Sequence, residues 1–116
     1  MAAKFLHIGC NVQATNEVIA KVQRVLNKAA DWLRYAPNCW LVYTHLNVDY
    51  FQEKLAGIKE LRQSGFFICE AKIIGSGGYL TPEVWEWLKE SRANLTDNVT
   101  PPFFEVPKRS LPNEPQ

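Results

Sequence analysis

The chain has 116 residues, of which 47% are hydrophobic and 22% are charged, and its formal net charge is +1. This length predicts a single domain, and the composition supplies enough apolar residues for one buried core. The nearly balanced charge excludes the strongly basic composition that is typical of nucleic-acid-binding domains. Any contact with nucleic acid therefore needs a local basic patch.

The predicted elements follow in the order strand, helix, strand, strand, helix, strand, helix. The first strand alternates, with Phe5 and His7 on one side and Leu6 and Ile8 on the other. Thr81 before Pro82 is a typical helix start, since proline is favoured at the first helical position. The predicted ranges are strand 5–12, a helix from a cap at Thr15 or Asn16 to residue 30, strands 31–35 and 39–45, a helix from a cap at Asn47 or Asp49 to residue 64, strand 66–74 and helix 81–91.

This order predicts an α+β fold of the ferredoxin-like (βαββαβ) type, an antiparallel sheet with its helices on one face, plus an extra C-terminal helix. Residues 1–92 form that domain in this interpretation. Residues 93–116 contain five of the seven prolines and are expected to form an extended tail.

Location and covalent chemistry follow from the same sequence. No apolar run approaches the roughly 20 residues that cross a bilayer, and no apolar signal region begins the chain, so we expect a cytoplasmic protein that does not bind membranes. The three cysteines, Cys10, Cys39 and Cys69, are odd in number and widely spaced, which argues against a disulfide framework.

Three segments carry a resemblance to a known family. They are Asp31-Trp32 with Tyr35, the strand Trp40-Leu41-Val42-Tyr43-Thr44, and Gly78-Tyr79-Leu80 with Pro82, Trp85 and Trp87-Leu88. In these segments the chain resembles small bacterial and phage proteins labelled SinR-like, which are similar to the small ferredoxin-like subunit of the CRISPR spacer-acquisition complex and to VapD-type toxins. The resemblance implies a ferredoxin-like fold and a phage or mobile-element defence setting. A homodimer is expected because Phe5 and the aromatic hairpin leave an apolar surface on the uncovered sheet face, which a two-fold contact would bury.

The resemblance also implies a rival, enzymatic function. The nuclease-type relatives carry an aspartate near the end of the first strand, where two copies in a dimer hold a metal. Here Asn11 or Cys10 stands at that place, and Asp49 is the acid that a folded-back loop would have to bring to it. An amide supplies only a neutral carbonyl to a hard cation such as Mg²⁺. We therefore expect no catalytic residues, no metal and no cofactor. The sequence does not decide whether the protein is an enzyme, but it favours a protein without enzymatic activity.

Other groups of reactive residues are weak candidates. Cys10, His45 and Cys69 lack the paired short spacings of zinc sites, and a free cysteine commonly packs as a small apolar side chain. The segment 75–78 is rich in glycine but lacks the lysine of a phosphate-binding loop, so a hinge is the preferred interpretation.

The sequence therefore predicts a non-catalytic, dimeric binding or scaffold protein that associates with nucleic acid. The two alternatives are a metal-dependent endonuclease at a dimeric site and a protein-binding adaptor without nucleic-acid contact. The predicted phosphate contacts are Lys21, Arg24, Lys28, Lys108 and Arg109. The predicted dimer interface comprises Phe5, His7, Trp40 and Val42.

Overall fold

The computed structural model describes residues 2–90, 92 and 95–97, and within them the chain is an α+β domain. The elements in chain order are β1 (Lys4–Cys10), α1 (Asn16–Leu26), β2 (Asp31–Ala36), β3 (Cys39–Thr44), α2 (Val48–Ala56), α3 (Lys59–Ser64), β4 (Phe66–Ala71) and α4 (Pro82–Lys89). Ser91 and the predicted tail, apart from residues 95–97, lie outside the described residues. None of the described helices is long and apolar enough to span a membrane.

The four strands form one antiparallel sheet in the order β2-β3-β1-β4. β1 lies between β3 and β4, so His7 has Leu41 on one side and Cys69 on the other. β2 and β4 are the edge strands of the sheet in the described part of the chain. This α+β architecture is compatible with the predicted ferredoxin-like arrangement.

Helices α1, α2 and α3 pack on one side of the sheet, which we call the helix face. Its core combines the inward side chains of all three helices with alternate residues of the strands. The residues at its centre are fully buried and include Leu6, Ile8, Val22, Leu26, Trp32, Trp40, Val42, Phe51, Leu55 and Leu61. The alternation that was predicted for β1 is confirmed, since Leu6 and Ile8 belong to this core while Phe5 and His7 lie on the other side.

Helix α4 packs on the opposite side of the sheet, which we call the α4 face. Val84 and Trp87 are fully buried there against Leu33 and Leu41. The prediction that helices cover one face only is therefore corrected, because α4 covers part of the second face. The rest of that face, from His7 and Gly9 to Phe67, is partly or largely exposed.

Two helix boundaries differ from the predicted ones. α1 ends at Leu26 instead of residue 30, because Asn27 caps it and accepts a hydrogen bond from Trp32 Nε1 at 3.0 Å. The segment predicted as one helix up to residue 64 is divided into α2 and α3 by an extended backbone at Ile58, directly after Gly57. Glycine is a weak helix former, and the break still leaves Ile58 buried in the core.

Strand β4 is also shorter than predicted. It ends at Ala71, whose partner Phe5 lies near the beginning of β1. Beyond that point the neighbouring strand offers few further backbone partners, so the chain leaves the sheet. Residues 72–81 then cross as a loop to the start of α4.

Candidate ligand pocket

A cavity of about 460 Å³ lies on the α4 face, between the sheet, helix α4 and the loop 72–81. His7, Leu41 and Ala71, from three adjacent strands, line it on the sheet side. Trp85 and Leu88 line it on the helix side. Its volume falls within the range of roughly 300–1,000 Å³ that is common for small-molecule sites.

Two hydrogen-bonding side chains lie within this largely apolar surface. His7 Nε2 and the Tyr35 hydroxyl are 2.5 Å apart. Burial lowers the pKa of His7, and burial together with the neighbouring Cys39 thiol raises the pKa of Tyr35 to about 12. Both groups are therefore neutral near pH 7, and the pair gives the pocket an uncharged group that can form hydrogen bonds.

A buried ionic network attaches α4 to the sheet beside the pocket. Asp31 accepts hydrogen bonds from the Trp32 main-chain N–H and from Trp87 Nε1, each at 2.9 Å. Arg92 Nε lies 3.5 Å from Asp31 Oδ2, an ion-pair contact, and the guanidinium also donates to the main-chain carbonyl of Trp87. The same guanidinium lies 4.3 Å from the centre of the Trp87 ring. Breaking a buried pair of this kind is costly, so the network holds one wall of the pocket in place.

The predicted dimer-interface residues lie on both faces of the sheet. Trp40 and Val42 are fully buried in the helix-face core and have no exposed surface for a partner, so this part of the prediction is corrected. The reason is the register, which pairs Trp40 with Ile8 and Val42 with Leu6. Phe5 and His7 are half-buried on the α4 face, where His7 lines the pocket and Phe5 packs beside Trp87.

The two residues of the nuclease hypothesis are not brought together. Asn11 follows the end of β1, where its main-chain N–H donates to the Gly65 carbonyl. Asp49 lies in the first turn of α2, after Thr44, whose strand partner Lys4 begins β1. These two ends of the sheet lie about 20 Å apart for a strand of this length, so the strands themselves do not bring Asn11 and Asp49 together.

Of the predicted phosphate contacts, Lys108 and Arg109 lie outside the described residues. Lys21 is held by Glu60, with Nζ 3.0 Å from Oε2, and that contact raises the pKa of Lys21. Arg24 is exposed near the end of α1, and Lys28 is half-buried in the turn that follows. The predicted basic stripe is therefore partly neutralised by an acid from α3.

The candidate cysteine and histidine group does not converge. Cys10 is buried at one end of β1, Cys69 pairs with His7 in the middle of the sheet, and His45 follows β3 at the other end. His45 instead contacts Asp97, which accepts hydrogen bonds from the His45 main-chain N–H at 2.9 Å and from Thr44. In the part of the chain that the structure describes, no group of three His, Cys, Asp or Glu side chains is placed to hold a metal ion.

Several residues of this site were not singled out from the sequence. Alternation along β2 places Leu33 and Tyr35 on the same side, so Tyr35 was predictable as a companion of Leu33. Its contact with His7 depends on the order of the strands, because β3 lies between them. The ion pair between Asp31 and Arg92 spans 61 positions of sequence and has no local pattern.

Comparison of the chain with family models, with curated proteins and with solved structures found no match.

Proposed function

We propose that this protein is a non-catalytic binding protein, built on a ferredoxin-like sheet, that recognises its ligand on the α4 face. The observation that carries the proposal is the pocket of about 460 Å³ with a neutral hydrogen-bonded pair on an otherwise largely apolar surface. An apolar pocket with a few placed polar groups is the usual form of a small-molecule site. The split βαβ arrangement is supported by the antiparallel strand order β2-β3-β1-β4.

Two of the three segments that carried the family resemblance contribute side chains to this face. Asp31 and Tyr35 come from one of them, and Leu80, Trp85 and Trp87 from another. The first pair anchors the helix and supplies the hydrogen-bonding group, while the second group forms the wall. The resemblance therefore supports a function located on the α4 face instead of at the end of β1.

The binding function is tested by titrating the ¹⁵N-labelled full chain with a library of small fragments. We expect the amide resonances that shift to belong to the pocket, in particular to Ala71, Leu80 and Leu88. Leu26 and Leu61, in the helix-face core, serve as internal controls that do not shift. A library in which no compound shifts the pocket resonances would contradict the proposal.

We also propose a homodimer through the exposed part of the α4 face and the edge of β4. Phe67 is 66% exposed on this edge strand and lies next to Gly9 of β1. A large exposed apolar side chain on an unpaired edge is a typical self-association site, and two-fold dimers are the commonest assemblies. Light scattering at tens of micromolar should give twice the monomer mass.

Two variants locate that interface. Phe67→Ser should give the monomer mass, while Tyr79→Ser, which removes an even more exposed aromatic side chain from the loop, should leave the dimer intact. A monomeric wild-type protein, or a dimer that Phe67→Ser does not affect, would remove this part of the proposal.

Association with nucleic acid, in a phage or mobile-element defence setting, is supported by the resemblance and by the exposed Arg24. Phosphate contacts make binding strongly dependent on salt. We expect low-salt anisotropy measurements to show weak binding to DNA or RNA that Arg24→Glu reduces and added salt abolishes. No affinity at low salt would make a protein-binding adaptor the better account.

The non-catalytic part of the proposal has its own test. Purified protein incubated with labelled RNA and DNA should show no cleavage that depends on Mg²⁺ or Mn²⁺. Asn11 follows the end of β1 and Asp49 follows the end of β3, and these strand ends lie at opposite ends of the sheet. Metal-dependent cleavage that Asn11→Ala or Asp49→Ala abolishes would establish the nuclease instead.

A further inference from the structure

The shape of the pocket favours a flat ligand. Its floor is the surface of a sheet, formed by His7, Leu41 and Ala71 on neighbouring strands. The facing wall contains the indole of Trp85 and the side chain of Leu88. A pocket lined by an indole and by an apolar sheet surface suits a planar ring, which stacks favourably on aromatic groups.

The charge around the pocket favours an acid. Among the side chains that line it, Lys72 is the one that carries a full charge at neutral pH. Lys72 is exposed and follows directly after Ala71, the last residue of β4. An exposed ammonium group beside the pocket attracts an anion, while the pair of His7 and Tyr35 adds no net charge that would repel it.

Two large side chains of the loop 72–81 lie in solvent, and one of them lines the pocket. Tyr79 lines the cavity and is fully exposed, and Ile74 is 86% exposed. Gly75 and Gly78, between them, have positive φ angles of 88° and 148°. Exposed apolar groups beside a cavity are typical of a surface that becomes covered when a ligand binds.

From these observations we propose that the pocket binds a small molecule with one flat aromatic ring and one acidic group, with the ring between Trp85 and the sheet and the acid beside Lys72. The proposal rests on the proposed function, since it specifies the ligand of the same pocket. The shared chemistry of ring and anion occurs in aromatic carboxylates and in mononucleotides, and the experiment separates these two sources.

The test uses 1-naphthoate and its uncharged counterpart 1-naphthalenemethanol, which present the same ring with and without the negative charge. Binding is followed through the amide resonances of the ¹⁵N-labelled full chain. We expect 1-naphthoate to shift resonances of the pocket and to bind at least about threefold more tightly, the strength of one exposed ion pair. Guanosine monophosphate in a parallel titration identifies the source, because the tighter of the two acids marks the ligand class.

Two variants assign the difference to one side chain. Lys72→Gln should make the two naphthalene compounds bind equally well, with the affinity for 1-naphthalenemethanol unchanged. Lys59→Gln removes an exposed lysine from α3 on the other side of the sheet and should preserve the preference for the acid. Circular dichroism confirms that both variants are folded.

The outcomes separate this inference from the proposed function. Equal affinity of wild-type protein for both naphthalene compounds, with shifts in the pocket, would overturn the acidic preference and leave the pocket as a binding site. Retention of the preference in Lys72→Gln would overturn the role of Lys72. The absence of pocket shifts with all three compounds, followed by a positive result in the fragment screen, would overturn the ligand class alone.

Discussion

The two faces of the sheet are held together in different ways. On the helix face, three helices bury a continuous set of apolar side chains, and Trp32, Trp40 and Phe51 are fully inaccessible to solvent. On the α4 face, one short helix buries only Val84 and Trp87 against Leu33 and Leu41. A buried ion pair between Asp31 and Arg92 supplements this small apolar contact.

This difference explains where the pocket is found. The core under the three helices is close-packed, and close-packed interiors contain few voids larger than a water molecule. The cavity of about 420 Å³ on that side lies at the β4 edge of the sheet, beside Val48, Gln52 and Phe66. A face covered by a single helix of eight residues leaves sheet surface on both sides of that helix. The helix face therefore provides stability, and the α4 face provides the surface available for recognition.

The largest expected effect comes from a comparison of one tryptophan on each face. Trp40→Ala should lower the free energy of unfolding by about 4 kcal/mol, because it opens a cavity in a core without access to solvent. Trp85→Ala, in the half-buried wall of the pocket, should cost about 1 kcal/mol. Urea denaturation measures both values, and equal losses would contradict the assignment of stability to the helix face.

A smaller loss is expected from the ionic network of the α4 face. Arg92→Ala leaves Asp31 without its ion-pair partner and should cost about 3 kcal/mol. Arg24→Ala, on the exposed side of α1, is the matched control and should stay within about 0.5 kcal/mol of the wild type. In Arg92→Ala, amide hydrogen exchange should be accelerated more in α4 than in α1. Equal acceleration in both helices would contradict the separate anchoring of α4 by this ion pair.

The smallest expected effect is a dependence of stability on pH that originates at His7. Burial lowers the pKa of His7 below its ordinary value of 6.5, so the unfolded chain binds the proton more readily. The folded state is therefore favoured above pH 6.5 and loses this contribution as the pH falls through the folded pKa.

The variant His7→Gln keeps a hydrogen-bonding group near Tyr35 but does not titrate. Between about pH 7.5 and about pH 5, where an ordinary histidine titrates, its stability should decrease less than that of the wild type. His45→Gln is the matched control, and it should keep the part of the pH dependence of stability that comes from His7. A wild-type slope that His7→Gln leaves unchanged would show that His7 is not responsible.

Much of the fold was predictable from local sequence patterns. The alternation in β1, the capping side chains of Thr15 and Asn47 and the aromatic hairpin of β2 and β3 are all found in the structure. Thr81 lies at the N-cap position of α4, but its hydroxyl makes no capping hydrogen bond. These features depend on a few neighbouring residues, through backbone preference and hydrophobic periodicity, and such information is contained in a short window of sequence. The division at Gly57 was missed because the apolar spacing of Leu55, Ile58 and Leu61 fits a single helix equally well.

The site, in contrast, was decided by tertiary structure. Alternation along each strand is enough to tell which of its residues share a side, and it places Phe5 and His7 opposite Leu6 and Ile8. It did not determine that Trp40 and Val42 share a side with Leu6 and Ile8, because that depends on the register between β1 and β3. Nor did it determine that Arg92 reaches Asp31 or that α4 crosses to the second face. Contacts between residues far apart in sequence arise from how whole elements pack, and no local pattern of residues encodes that choice.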